Sequence, residues 1–362
     1  MRILVAPCAY KGTIGCSPLA QAIARGIAME LPSAQIDLLP VADGGDGTID
    51  ALHQAVGGEI RQVTVEGPLG VLVSAPWLRL GKLGVVELAS ASGLALLDGK
   101  LNPVDAHTKG TGQVIASCIL YGVESIMICV GGSASTDGGS GMLTGMGARF
   151  RKADGDLIRL GASELALISE CDLTALYNLI AGHSFIVAVD VANPLLGVDG
   201  AAAIYAPQKG APQAMIDFLE QGLLHFADLL EKETGRRVRN VPGVGAAGGT
   251  AFGAACGMGA EIVSGFEWMS SLIDLEARVQ SADLVITGEG RLDEQSLYGK
   301  AIGQLAALCK KHRKKLYALP ACASTNYNWA RAGIDKVVRV AQPGKTARVE
   351  DVIEAARALV RY

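Results

Sequence analysis

At 362 residues the chain is longer than one ordinary domain and suits two. Half of the residues are apolar and 19% are charged, which excludes a disordered chain and supports a sizeable core. A formal net charge of −4 excludes a general electrostatic affinity for nucleic acid, which needs a basic face.

In chain order, residues 3–6 read as a buried strand. Ser17 and Pro18 then predict a helix, with Ser17 as N-cap, Pro18 at the first helical position and apolar residues at Leu19, Ala22, Ile23 and Ile27. A second strand is expected over 36–39, followed by the loop Ala-Asp-Gly-Gly-Asp-Gly-Thr at 42–48 and a helix to about Val56. In the middle of the chain, 71–80, 84–88, 125–130 and 185–190 read as strands. Residues 110–120, 140–148 and 215–234 read as helices. Near the C-terminus, strands are expected at 283–287, 315–319 and 337–340, and helices at 300–312, near Trp329, and at 348–360.

Two βα units at one end and three at the other are each small for a parallel sheet. Joined, they make an ordinary α/β domain. The expected fold class is therefore α/β: a Rossmann-like parallel-sheet domain from residues 1–64 and 280–362, with an inserted second α/β domain at 65–279. Ligands in open α/β sheets sit beyond the carboxyl ends of strands. The acidic motifs near Asp43 and Glu289 fall there, so the cleft is expected between the domains.

Two stretches, 131–147 and 243–259, each hold seven glycines in seventeen residues. Glycine lets a ligand approach main-chain N–H groups, and a loop of such groups opening a helix suits an anion. The loop at 131–139 adds Ser133, Ser135, Thr136 and Asp137, which suits phosphate oxygens; close packing by small residues is the alternative. The run Gly-Val-Gly-Ala-Ala-Gly at 243–248 matches Gly-x-Gly-x-x-Gly, but no strand is seen before it. There is no Gly-x4-Gly-Lys-Ser/Thr motif, so this is not a P-loop enzyme.

Asp43 and Asp46 among three glycines exceed what a helix cap needs. Asp190 stands at a strand end before Val191, Ala192, Asn193 and Pro194; it is either a turn cap or a catalytic or metal contact. Lys209 is a lone lysine, free to neutralise an anion or to be solvated. Residues 287–296 form the densest polar segment, with Glu289, Arg291, Asp293 and Ser296, and Lys300 follows. Lys11 takes the analogous place after the first strand. His107 is a candidate support residue; the other four histidines read as structural. The eight cysteines form no Cys-x-x-Cys pair and read as free thiols. The basic run 310–315 reads as a solvated helix end. The N-terminal apolar run is too short for a signal or a membrane span, so a cytoplasmic protein is expected.

Together these segments resemble the bacterial glycerate kinase family. The matching stretches are 41–48, 67–70, 87–94, 110–112, 131–139, 190–195, 207–211, 243–249 and 284–296, with Gly299 and Lys300. They come in the family's order and span nearly the whole chain. Three places depart: Cys8 and Ala9 stand where the family usually has an acid and a hydroxyl, Ser135 and Thr136 where it often has Thr and Asn, and Cys322 where Gly is usual.

The resemblance implies phosphorylation of D-glycerate by ATP with Mg²⁺, generally to 2-phosphoglycerate. On that basis Asp190 is the expected base, with Asp137 second, and Lys11 and Asp43 join the catalytic set. Gly131, Gly132, Ser133, Gly138, Gly139, Gly245, Gly248 and Gly249 are expected to cradle the nucleotide phosphates. Lys209, Arg291, Lys300 and Asn193 are expected to hold substrate, and Asp43, Glu289 and Asp293 the metal. Expected partners are D-glycerate and ATP, with no nucleic acid or membrane, in a monomer or homodimer. The alternatives are another hydroxy-acid substrate, a 3-phosphoglycerate product, a nicotinamide enzyme using Gly243, or a non-catalytic sensor of a small hydroxy acid.

Overall fold

The structure is a computed structural model, and it describes residues 1–10, 12–42, 44–297, 301–324, 327–341 and 345–361, without the side chains of Gln295 and Leu297. The chain divides into two compact units. A terminal unit comprises Met1–Asp43, Gly47–Gly57 and Phe266–Tyr362; a central unit comprises Gly44–Asp46 and Gly58–Gly265.

The terminal unit is built on a five-stranded sheet in the order Lys336–Val337, Lys315–Ala318, Leu284–Thr287, Arg2–Val5, Gln35–Leu38. Every pairing is parallel. Numbered along the chain, the order is 2-1-3-4-5. The direction of winding reverses between Arg2–Val5 and Leu284–Thr287, which makes their carboxyl ends the switch point of the sheet. Ile3, Val5 and Ile286 pack with Leu19, Ile23 and Ile27 of the helix Cys16–Glu30 and with Val352, Ala356 and Leu359 of the helix Val349–Val360. Gly26 permits the two helices to meet: a Cβ there would overlap Ile353 O and lie 2.7 Å from Ala356 Cβ.

Ser17 is not the N-cap expected of it. The helix starts at Cys16 behind an extended Gly15. The Ser17 N–H, one of the first-turn donors, is met instead by the Asp50 carboxylate at 3.2 Å. The strand expected at 337–340 is regular only over Lys336–Val337. Its ladder still runs on, with Val338 and Val340 N–H donating to Ala318 and Pro320 O.

The central unit has a six-stranded sheet in the order Glu261–Ser264, Ser184–Val189, Ser125–Cys129, Leu83–Glu87, Leu72–Leu80, Glu59–Glu66. The first four strands are parallel, and the last two extend the sheet as an antiparallel hairpin. The core contains Trp77, Ile126, Ile128 and Val187. An edge-on aromatic chain joins them: Phe150 to Phe226 at 5.4 Å and Phe226 to Phe252 at 6.2 Å between ring centroids. No helix of the described residues is long and apolar enough to cross a membrane. None of the eight cysteines is in a disulfide, and Cys322 is the exposed one.

Candidate functional site

Because four strands of the central unit run parallel, their carboxyl ends open on one edge, and the polar residues of that unit gather there. Gly131 follows Ser125–Cys129, and Asp190 follows Ser184–Val189. Between them lies the segment Gly44–Asp46. Gly131 N–H donates to Gly44 O at 3.3 Å. A Cβ on Gly131 would lie 2.5 Å from Gly45 Cα, and one on Gly44 would lie 3.0 Å from Ala188 Cβ. Glycine is required here by backbone-to-backbone contact. Asp43, the acid expected just before this segment, lies outside the described residues, as do Lys11 and Lys300.

Asp190 is oriented by Ser264, whose hydroxyl donates to Asp190 Oδ1 at 3.2 Å. Register explains the pairing, since Ser264 lies opposite Val189 in the neighbouring strand. Asn193 is committed to its own loop. Its Nδ2 donates to Asp199 O at 2.8 Å, its Oδ1 accepts from Tyr205 OH at 2.6 Å, and its carbonyl accepts Gly245 N–H at 3.0 Å.

The two glycine-rich stretches are packed against each other. Gly138 N–H donates to Gly248 O at 3.0 Å. A Cβ on Gly248 would overlap Ser135 O and lie 2.8 Å from Thr136 Cα, and one on Gly249 would lie 3.0 Å from Gly138 Cα. Gly139 N–H donates to Asp137 Oδ1 at 3.2 Å, and Gly249 N–H to Gly245 O at 3.3 Å. The N–H groups of Gly131, Gly138, Gly139, Gly245 and Gly249 are thus engaged inside the unit and are not held out as a phosphate cradle. Gly132 is exposed, at φ +75°, and Ser133 adjoins it. The Gly-x-Gly-x-x-Gly run opens no Rossmann unit: Ala247, Gly248 and Gly249 have φ of +56°, +65° and +85°, and the nearest strand, Glu261–Ser264, comes after it.

Asp137 is fully buried and closes two turns at once. Its carboxylate accepts Thr108 N–H at 2.8 Å, Thr108 Oγ1–H at 2.7 Å, Gly139 N–H and Gly141 N–H. His107 is buried beside it, and burial lowers its pKa against the pull of Asp137. His107 Nδ1 accepts Lys109 N–H at 3.3 Å, which suits the neutral ring. Lys209 is 2% exposed and donates to Ser135 O. Burial lowers its pKa to about 8, against the favourable charge of Asp137. Thr108 and Ser264 were not singled out from the sequence; the Thr-Lys-Gly-Thr-Gly run at 108–112 was the one available signal.

In the terminal unit the switch point is lined by the ends of Arg2–Val5 and Leu284–Thr287. Cys8 N–H donates to Gly288 O at 2.7 Å, and Thr287 Oγ1–H to Ala6 O at 2.8 Å. Glu289 and Gly290 carbonyls accept Ala321 and Cys322 N–H, carrying the parallel pairing outward to Arg291–Leu292 and Cys322–Ala323. Asp293 accepts Ser296 N–H on Oδ1 at 3.2 Å and pairs with Arg291 Nε through Oδ2 at 3.3 Å. Arg291 and Asp293 are therefore ordered together by the Ser296 hydroxyl, which donates to Arg291 O, with Glu289 just before them in the ladder.

A model described as the glycerate kinase family matches residues 3–362. The chain is 39% identical to a protein of Escherichia coli K12 named glycerate 2-kinase, over 94% of this chain and 90% of that one. It is 38% identical to a glycerate kinase of Bacillus subtilis 168, over 98% and 94%. The crystal structure of a candidate glycerate kinase 2 from Salmonella typhimurium LT2 superposes with a TM-score of 0.84 at 36% identity, covering 99% of this chain and 96% of that one.

Proposed function

The chain belongs to the glycerate kinase family, and from that premise we propose that it transfers the γ-phosphoryl group of ATP to the 2-hydroxyl of D-glycerate, giving 2-phosphoglycerate. The observation that carries this reading is the near full-length match to a protein named glycerate 2-kinase. Cytoplasmic location belongs to the same reading, since ATP is the co-substrate.

Phosphoryl transfer depends on neutralising charge and aligning donor with acceptor more than on covalent chemistry. In the central unit, Asp190 is the proposed base for the glycerate hydroxyl proton, with the Ser264 hydroxyl setting its orientation. Asp137 suits that role less, because its carboxylate already accepts four hydrogen bonds. Exposed Gly132 is the proposed phosphate contact at the first glycine stretch, with Ser133 buried behind it and its hydroxyl held by Ser135.

In the terminal unit, Glu289 and Asp293 offer hard oxygen donors. Among the described residues, no group of three or more His, Cys, Asp or Glu could hold a metal ion. Mg²⁺ in kinases is held by one or two carboxylates together with the substrate's phosphates, so a full protein cage is not required. The donor set therefore fits a phosphate-borne Mg²⁺ held by Glu289 or Asp293, the latter already ordered by Ser296 and Arg291. When bound, the ion would neutralise phosphate charge. Exposed Arg291 is the proposed partner of the glycerate carboxylate.

The test is to incubate the protein with ATP, Mg²⁺ and D-glycerate and identify the product by ³¹P NMR. A 2-phosphoglycerate signal is expected. A 3-phosphoglycerate signal reverses the regiochemistry, and no product under saturating substrate sinks the assignment of D-glycerate.

A further inference from the structure

Lys209 ends the short turn Pro207–Lys209, and Gly210 at φ +96° closes it, with its N–H donating to Pro207 O. The lysine then runs inward until it is 2% exposed. Taking an ammonium out of water is costly unless a counter-charge and acceptors offset the cost. Both are present, though burial still outweighs them: its Nζ donates to the backbone carbonyl of Ser135, and the charge of Asp137, two residues further on, favours the ammonium.

Ser135 and Asp137 are held by different neighbours. Ser135 has its carbonyl on Lys209, while its N–H donates to Ser133 Oγ at 3.1 Å. Asp137 has its carboxylate on Thr108 and on the first turn of the following helix. Thr136, between them, is buried, and its hydroxyl has no hydrogen-bond partner among the described residues. A side chain that cannot satisfy its own hydroxyl does not choose this conformation for itself, so the flanking residues impose it. Gly248 then packs directly on Ser135 O, so the same carbonyl locates the second glycine stretch.

We infer that Lys209 is a positioning residue of phosphoryl transfer: its buried ammonium, donating to the Ser135 carbonyl, fixes the turn 133–137 next to the proposed phosphate contact and does not touch substrate. The kinetic part of this inference rests on the glycerate kinase reading; the structural part does not. It departs from the sequence expectation, in which Lys209 holds the glycerate or the phosphoryl group. A lysine that is 2% exposed and donates to a main-chain carbonyl acts through the shape of the loop.

The experiment uses the full chain with Lys209→Met and Lys209→Ala, ATP, Mg²⁺ and D-glycerate. Displacing a positioned group by about 1 Å costs about a hundredfold in rate. The Met variant is therefore expected to lose about a hundredfold in kcat while KM for glycerate stays within about threefold. Ethylammonium added to the Ala variant is expected to restore about tenfold of that loss. Amide hydrogen exchange across 133–141 should rise at least about tenfold in the Met variant and stay unchanged in the sheet of the terminal unit. A raised KM for glycerate with kcat spared makes Lys209 a substrate ligand and overturns the inference. Unchanged kcat and unchanged exchange overturn it as well. If the Met and Ala variants do not fold, Lys209→Gln is measured in their place, and failure of all three makes the lysine a folding element, which also overturns the inference. A wild-type protein without kinase activity sinks the glycerate reading, and the exchange measurement then still decides whether Lys209 pins the turn.

Discussion

Asp190 and Asp137 both follow parallel strands of one sheet, yet their surroundings assign them different work. The Ser264 hydroxyl aligns Asp190, whereas Asp137 accepts from four donors of its own turn and of Thr108. Replacing a general base costs about 10²–10⁴ in rate. Asp190→Asn is thus expected to cut kcat by that range with an unchanged circular dichroism spectrum; near-normal turnover removes it from the role. Gly248→Ala should destabilise by about 1–3 kcal/mol, since the added Cβ meets Ser135 O at a positive φ. A lower urea midpoint at constant slope is the check. Lys209 gives a pH prediction. Its pKa falls on folding from 10.5 to about 8, so between those values the unfolded chain binds more protons. Stability conferred through this group therefore rises from pH 8 to 10.5. The difference in unfolding free energy between wild type and Lys209→Met should follow that slope, and a flat difference refutes it. The glycine stretches were legible in the sequence as special backbone, but not their purpose. Spacing shows that N–H groups lack shielding side chains; it cannot show that Gly138 spends its N–H on Gly248.

At the scale of elements, apolar periodicity located the strands that are buried on both faces, such as Ser125–Cys129, to within a residue or two. It missed Glu59–Glu66, an edge strand with mostly exposed or half-buried residues, because such a strand has no apolar run to announce it. Two-residue strands such as Arg291–Leu292 exist through the ladder that carries them and leave no local pattern. The packing of Cys16–Glu30 on Val349–Val360 was likewise invisible, since it depends on Gly26 facing Ala356 across most of the chain's length. Gly26→Leu puts a side chain where Ile353 O and Ala356 already lie. Overpacking of this kind costs about 1–3 kcal/mol. The variant is expected to lower the melting temperature and to raise exchange in both helices together, whereas a loss confined to one helix would show that they do not depend on each other.

For the whole molecule, the difference between the units is one of continuity. Apart from Gly44–Asp46 the central unit is one unbroken segment, so a fragment spanning 58–265 is expected to unfold cooperatively on its own. A non-cooperative melt or an insoluble fragment would contradict that. The terminal unit has no such option. Ile3 pairs with Leu284 on one side and Ile36 on the other, so its first strand lies inside a sheet three of whose five strands come only from Leu284 onward. At about 5–20 residues per second, the ribosome takes roughly 15–60 s to deliver that neighbour. During this interval Ile3, Val5, Leu19 and Ile23 have emerged while most of their permanent packing partners have not been synthesised. Until Leu284–Thr287 arrives, the strand Arg2–Val5 and the helix Cys16–Glu30 are thus a sticky, half-packed pair, exposed for as long as translation of the intervening segment takes.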